Sequence, residues 1–526
     1  MLRAPLRVGA FRAQKGVGRS IPAPVGGWDA STPLANMGAE FAVRLDNWDP
    51  EPGYVKLRRG FGEHATGVGA GVVESLMAYH GVATSDDALF AASASDIYEV
   101  TASGAAGAAV VTSLGNGRWQ HVNFTTSGGH FLIIVNGADS LRAFDGSNWS
   151  TPSITGLTSS DFVHVTAHKR RLWFVLNGST KAGYLPVDSI AGAATAFELG
   201  AVFSKGGYLQ AIGSWTLDSG TGIDDLAVFI SSKGQVAVYS GTDPSSADSW
   251  SLIGVFDLGP PIGRRCLTKV GGDLALITID GVIPLSTALS LDRAAVNNVA
   301  ITARIQSAMN SAARDYGGHF GWQLLAYPKG TKAVLNVPVA ESVTAHQYVM
   351  NTLTGAWCRY TGINANCWEI FQDRLLFGGA SGTIFEADIG ALDHTEPIHA
   401  DLVSAFNYYG APGRLKQWTM IQPLIVADGR VTPKLYVDTD FKVTEAAATV
   451  SEIMASGAEW DEAVWDADEW AEAEVVVNDW AGLSALGQAG AVHMIIDVAV
   501  PEESAGNDVL LRVSGFNVIF EPAGFF

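Results

Sequence analysis

The sequence predicts a mainly β protein: a β-propeller of about six or seven blades with a helical insertion, followed by a C-terminal antiparallel β domain. Three observations carry this expectation. The 526 residues include 59 glycines and 15 tryptophans, a composition suited to many short, turn-punctuated, aromatic-rich strands. From about residue 72 to 390, an apolar run, a Gly- or Asp-marked turn and a second apolar run recur. The recurrences begin roughly 40–55 residues apart, the size of a four-stranded blade.

Seven segments show the pattern: residues 86–100, 128–144, 168–187, 224–239, 271–285, 320–337 and 371–387. Each pairs two β-rich runs across a tight turn, which is how a hairpin reads in sequence. A pair of β-sandwiches is the rival all-β arrangement, and regular recurrence over some 300 residues favours the propeller.

A chain this long exceeds one ordinary core, so more than one domain is expected. The first 19 residues carry Arg3, Arg7, Arg12, Lys15 and Arg19 and no acid, and Pro22, Pro24, Gly26 and Gly27 follow. Residues 1–40 therefore read as an extended basic arm ordered on a partner, or as a frayed tail. Residues 41–396 hold the propeller. Within them, 290–316 places Val296, Val299, Ile301, Ile305 and Met309 at near-helical spacing, without proline and ahead of Gly317 and Gly318. That predicts an inserted helix. After 396 the repeat stops, and residues 397–526 read as a separate sandwich or barrel, with strands at 399–408, 419–426, 432–437, 492–500 and 508–521.

Hydrophobic residues make up 48% and charged residues 16%, with a net charge of −20. This is a folded, core-rich chain without the basic footprint of a protein that grips phosphates. The acidity suits a wall past which DNA slides, or simply keeps a large protein soluble. Cys266, Cys358 and Cys367 cannot build a disulfide framework, so folding in a reducing cytoplasm is expected. Cys358 and Cys367 flank a turn-like stretch, where they face each other across a hairpin or remain two free buried thiols. The N-terminus lacks an apolar signal core and no run of 18 apolar residues occurs, so neither a secretory signal nor a transmembrane helix is expected.

Residues 443–511 contain 15 acidic residues and no Lys or Arg. At the centre of a loop spanning 443–482 stand Trp460, Asp461, Glu462, Trp465, Asp466, Asp468, Glu469 and Trp470. A five-residue tryptophan period fits neither a helix face nor strand alternation. The stretch reads as an acidic tip facing a channel or partner, or as a solvated loop pinned by its own tryptophans.

No catalytic, cofactor-binding or metal-ligating residue stands out, and no cofactor is implied. Asp86, Asp87, Asp224, Asp225 and Asp273 sit where turn geometry explains them. The repeated Asp-box of sialidases is absent, and residues 246–250 match only a fragment of it. His164 and His168 fall in a strand–turn region, His394 and His399 in a loop, with no convergent zinc ligands. There is no phosphate loop, and Ser31, Cys266 and Cys358 lack the surroundings of a nucleophile.

Three segments bring a family into view: residues 42–50 (AVRLDNWDP) with 53–61 (GYVKLRRGF), residues 351–360 (NTLTGAWCRY) with 373–377 (DRLLF), and residues 515–524 (GFNVIFEPAG). Together with the Trp-Asp repeats near Trp460, they resemble the tail nozzle family of short-tailed bacteriophages, also called tail tubular protein B. The resemblance implies a virion tail component assembled in the host cytoplasm. It would form a homohexameric ring below the portal adaptor, continue the conduit for double-stranded DNA, and carry fibres or spikes at its flank. The basic arm would dock on the adaptor, and the acidic stretch would line or gate the channel. A carbohydrate-binding or glycan-cleaving propeller is the alternative, and a scaffolding propeller a third.

Overall fold

The structure, a computed structural model, describes residues 16–218, 223–288, 299–429, 431–445, 450–452, 475–500 and 508–525. All seven turn-centred segments form antiparallel hairpins. Five of them belong to free-standing sheets of three or four strands, at 73–99, 120–150, 162–198, 209–257 and 267–284. The last two, at 323–360 and 367–387, are part of a 16-stranded sheet. Each of these seven strand groups packs on the next, chiefly through its leading strand, and Cys367–Phe371 packs on Val73–Tyr79. The succession closes on itself, which is a propeller-like arrangement and not a pair of sandwiches.

Aromatic side chains fill the seams. Between the third and fourth groups, Trp173 stacks on Trp250 with ring centroids 5.7 Å apart and meets Phe229 edge-on at 5.5 Å. Such pairs contribute about 1 kcal/mol each beyond the area they bury. Phe61–Thr66 comes from far upstream and pairs antiparallel with Ile384–Ala387 as the fourth strand of the last group. The ring is thus latched by a strand from outside the repeat.

The remaining strands build a two-layer module. One layer orders Trp48–Glu51, Tyr54–Leu57, Leu511–Phe525, Arg414–Ala427 and Val475–Val477, with Val17–Pro22 on Leu511–Phe525 and Ala481–Gly487 on Arg414–Ala427. The other joins Phe41–Asp46, Glu396–Ser404, Gly490–Ala499 and Lys434–Thr439. Trp48, Trp418, Ile421, Met494, Ile496, Val518 and Phe520 share one buried cluster between them. In Arg414–Ala427 the buried positions change parity: Lys416 and Trp418 are buried before a register shift at 418/420, and Ile421, Pro423, Ile425 and Ala427 after it. A bulge at that point turns the second half of the strand over, so both halves face the core.

Several expectations are corrected. Residues 41–57 belong to the two-layer module and not to the propeller, because their apolar face is completed by Leu511–Phe525 and Glu396–Ser404. That module is not separate: the 16-stranded sheet runs from 323–360 through Phe41–Asp46 to Glu396–Ser404 and on to the last strand group. Residues 17–22 are not a free arm but a strand paired with 515–520. The inserted helix is shorter than 290–316: Gln306–Tyr316 is α-helical after a 3-10 turn at Ala303–Ile305, and 289–298 lie outside the described residues. Ser31, distant in sequence, caps that helix by accepting from the Gln306 N–H at 2.9 Å. The three cysteines are free and buried.

Candidate functional site

The leading strands bring partly buried polar residues to the middle of the ring: Glu74, His121, His164, Gln210, Gln323 and Glu369, with Arg265 just ahead of Leu267–Val270. Their neighbours along each strand are mostly buried between groups, whereas these side chains sit where the groups converge. Arg265 of the fifth group donates from Nη2 to the Glu74 carbonyl at 3.0 Å, to Ser75 Oγ at 2.8 Å and to the Trp119 carbonyl at 3.3 Å. The fifth group and the first are not neighbours in the ring, so this side chain spans the axis. His121 and Glu369, also from non-adjacent groups, meet at 3.4 Å. Burial pushes the Glu369 carboxyl up to about 8 and His121 down to about 4. Burial thus disfavours the charged form of both side chains. Side chains, not an open bore, occupy the axis.

At one end of the axis a cavity of about 540 Å³ opens, with Arg118, Asn177, Tyr208, Gln210, Arg264 and His319 on its wall. Arg118 donates to Glu74 and to Glu341, at 2.8 Å each. Glu341 also accepts from the Phe320 N–H at 2.9 Å. The guanidinium groups of Arg118 and Arg265 lie 4.4 and 5.1 Å from the Phe320 ring centroid. Arg264 donates to the Asn136 carbonyl at 3.2 Å.

A second constellation joins the propeller to the two-layer module. Asn47 adopts φ 63°, a left-handed conformation that Asn tolerates. Its Oδ1 accepts from Arg58 Nε at 2.7 Å and from the Thr361 N–H at 3.0 Å. Arg58 also donates to Asp393 twice, and to the carbonyls of Arg59 and Thr361. All five guanidinium donors are used. Beside it, Lys332 contacts Asp49 at 3.0 Å and Asp388 at 2.7 Å, and Tyr360 donates to Asp49. Burial opposes ionisation of Asp49, yet Lys332 and the Tyr360 hydroxyl hold its carboxyl below the usual range. Gly60 is required here by contact: a Cβ would stand 1.8 Å from the Leu392 carbonyl oxygen.

Of the residues singled out in the sequence, Arg3, Arg7, Arg12 and Lys15 lie outside the described residues, as do Trp460, Asp461, Glu462, Trp465, Asp466, Asp468, Glu469 and Trp470. Arg19 is exposed on Val17–Pro22, opposite Val518. His164 and His168 lie in the strand Phe162–His168, with His168 Nδ1 2.9 Å from Ser214 Oγ. Among the described residues, no group of three or more His, Cys, Asp or Glu is arranged to hold a metal, and no helix is long and apolar enough to cross a membrane. The axial mouth was missed because Arg118 and Arg264 are about 150 residues apart in sequence and lie in short connections between strands. The available signal was the adjacent Arg264 and Arg265, with no acid between Asp257 and Asp273.

No family model matches the chain, and no curated protein does. Among solved structures, it is similar to BBS1N in complex with ARL6DN, at 10% identity and TM-score 0.40 over 63% of this chain and 97% of that one. It is also similar to the β-propeller domain of Myceliophteria thermophila Cps50 (Swd1), at 12% identity and TM-score 0.38 over 60% and 98%. YCF48 bound to D1 peptide matches at 10% identity and TM-score 0.36 over 68% and 99%. At these scores the likeness carries nothing about function, and the propeller-like arrangement rests on the closed succession of strand groups.

Proposed function

We propose that this chain is a structural subunit of a bacteriophage tail, of the tail nozzle type. In this reading the seven strand groups are seven blades, and six copies form a ring around a conduit for DNA. One observation carries it. Two of the three segments that resemble the nozzle family, 42–61 and 351–377, lie some 300 residues apart yet meet at the joint between propeller and two-layer module, where the Phe61 and Phe377 rings also meet edge-on. Arg58 bonds Asn47, Thr361 and Asp393, and Asn351 donates to the Pro50 carbonyl at 3.0 Å. Leu511–Phe525, the strand that carries the third segment, pairs with Tyr54–Leu57 through Arg512 and Val513, just ahead of that segment. What the resemblance shares is therefore an architectural device that sets how two modules are held, the property a ring subunit needs. DNA would pass between copies, since side chains fill the axis of each propeller.

Negative-stain microscopy of the purified chain, alone and with its adaptor, tests this. Sixfold rings with an opening wide enough for a duplex are expected. A monomer under both conditions, or rings without an opening, would remove the reading. Cleavage of surface polysaccharide by the isolated chain would replace it with a glycan-directed function.

A further inference from the structure

We infer that the axial mouth is a binding site for an oxyanion, the carboxylate or phosphate group of a ligand entering from solvent. The guanidinium groups of Arg118 and Arg264 are on its wall, and two carboxylates, of Glu74 and Glu341, both bond Arg118. Among the described residues neither Arg264 nor Arg265 has an ion-pair partner. Charges withdrawn from bulk water are ordinarily paired, and the partly buried Arg264 guanidinium lacks such a counterpart.

The geometry gives that counterpart a place. Arg264 faces the cavity of about 540 Å³, within the size range of small-ligand sites. It spends one Nη1 donor on the Asn136 carbonyl, which leaves the rest of its planar fork for a carboxylate or phosphate, the groups that fork matches. Arg118, also on the wall, is neutralised by its two glutamates, so Arg264 is the cation left to meet a ligand. Tyr208 and Asn177 supply further polar groups at the rim. Without such a ligand, water alone would hydrate Arg264.

Calorimetric titration of the full chain with inorganic phosphate, and separately with succinate, decides between them against sodium chloride at matched ionic strength. Saturable binding is expected, with affinity reduced at least tenfold in Arg264→Gln. The better of the two ligands identifies the oxyanion. Should that variant fold poorly, mapping of phenylglyoxal modification in the unaltered chain gives the same answer, because bound ligand shields Arg264. Absence of saturable binding beyond the chloride control, equal binding by Arg264→Gln, or no protection of Arg264 overturns the inference. None of these outcomes bears on ring assembly, which is tested separately.

Discussion

Arg58 and Asp393 form a two-pronged ion pair, 2.7 Å from Nη1 and 2.6 Å from Nη2, between residues 335 apart in sequence. The Arg58 side chain is fully buried, and each of its remaining donors meets an oxygen. Removing one partner strands the other as a buried charge, which costs about 3–5 kcal/mol. Arg58→Ala and Asp393→Ala are each expected to lower unfolding free energy by that order in chemical denaturation. The double variant should lose clearly less than the sum, since the second removal no longer breaks a pair. Additive losses would show that the two side chains act independently.

Gly60→Ala tests the contact beside this pair. The added methyl meets the Leu392 carbonyl oxygen at 1.8 Å, and backbone on both sides resists movement. A loss of several degrees in melting temperature is expected. Gly18→Ala is the control: it lies in the strand Val17–Pro22, where a Cβ meets nothing within 4 Å. Its effect should be within about 0.5 kcal/mol.

His493 gives the molecule a pH dependence. It is buried between Asp401 at 3.0 Å and Asp438 at 2.9 Å. Burial opposes its protonation, but the two carboxylates win and push it up to about 9. The folded state then holds a proton that the unfolded state has released, so stability falls as pH rises from about 6.5 to 9. A decline of about 3 kcal/mol across that window is expected in denaturation at graded pH. His493→Gln should flatten the decline while lowering stability at pH 6.

The thiols should be silent in the native protein. Cys266, Cys358 and Cys367 are free and buried, and burial raises the pKa of each. Little thiolate forms and no reagent reaches it. A colorimetric thiol assay is expected to detect none of them before unfolding and all three in denaturant.

The nozzle reading makes its own demand on the acidic stretch. Replacing Asp461, Asp466 and Asp468 by Lys should slow genome ejection from intact particles without blocking their assembly, because a repelling wall becomes an attracting one. Unchanged ejection kinetics would count against a channel-lining role.

The seven hairpins were legible in the sequence because their information is local. In residues 271–285, for example, the Gly271-Gly272 and Asp280-Gly281 turns and the apolar runs between them are enough to define the fold of that piece. The strands of the two-layer module were likewise visible as apolar runs. What no local pattern announced was which strand meets which. Only the tertiary structure decided that Phe61–Thr66 latches the last strand group, that Val17–Pro22 pairs with the chain's final strand, and that Arg265 crosses the axis. These pairings join residues hundreds of positions apart. Their selection depends on which partner buries the remaining apolar face and satisfies the remaining backbone donors, and that is settled only when the whole chain has closed.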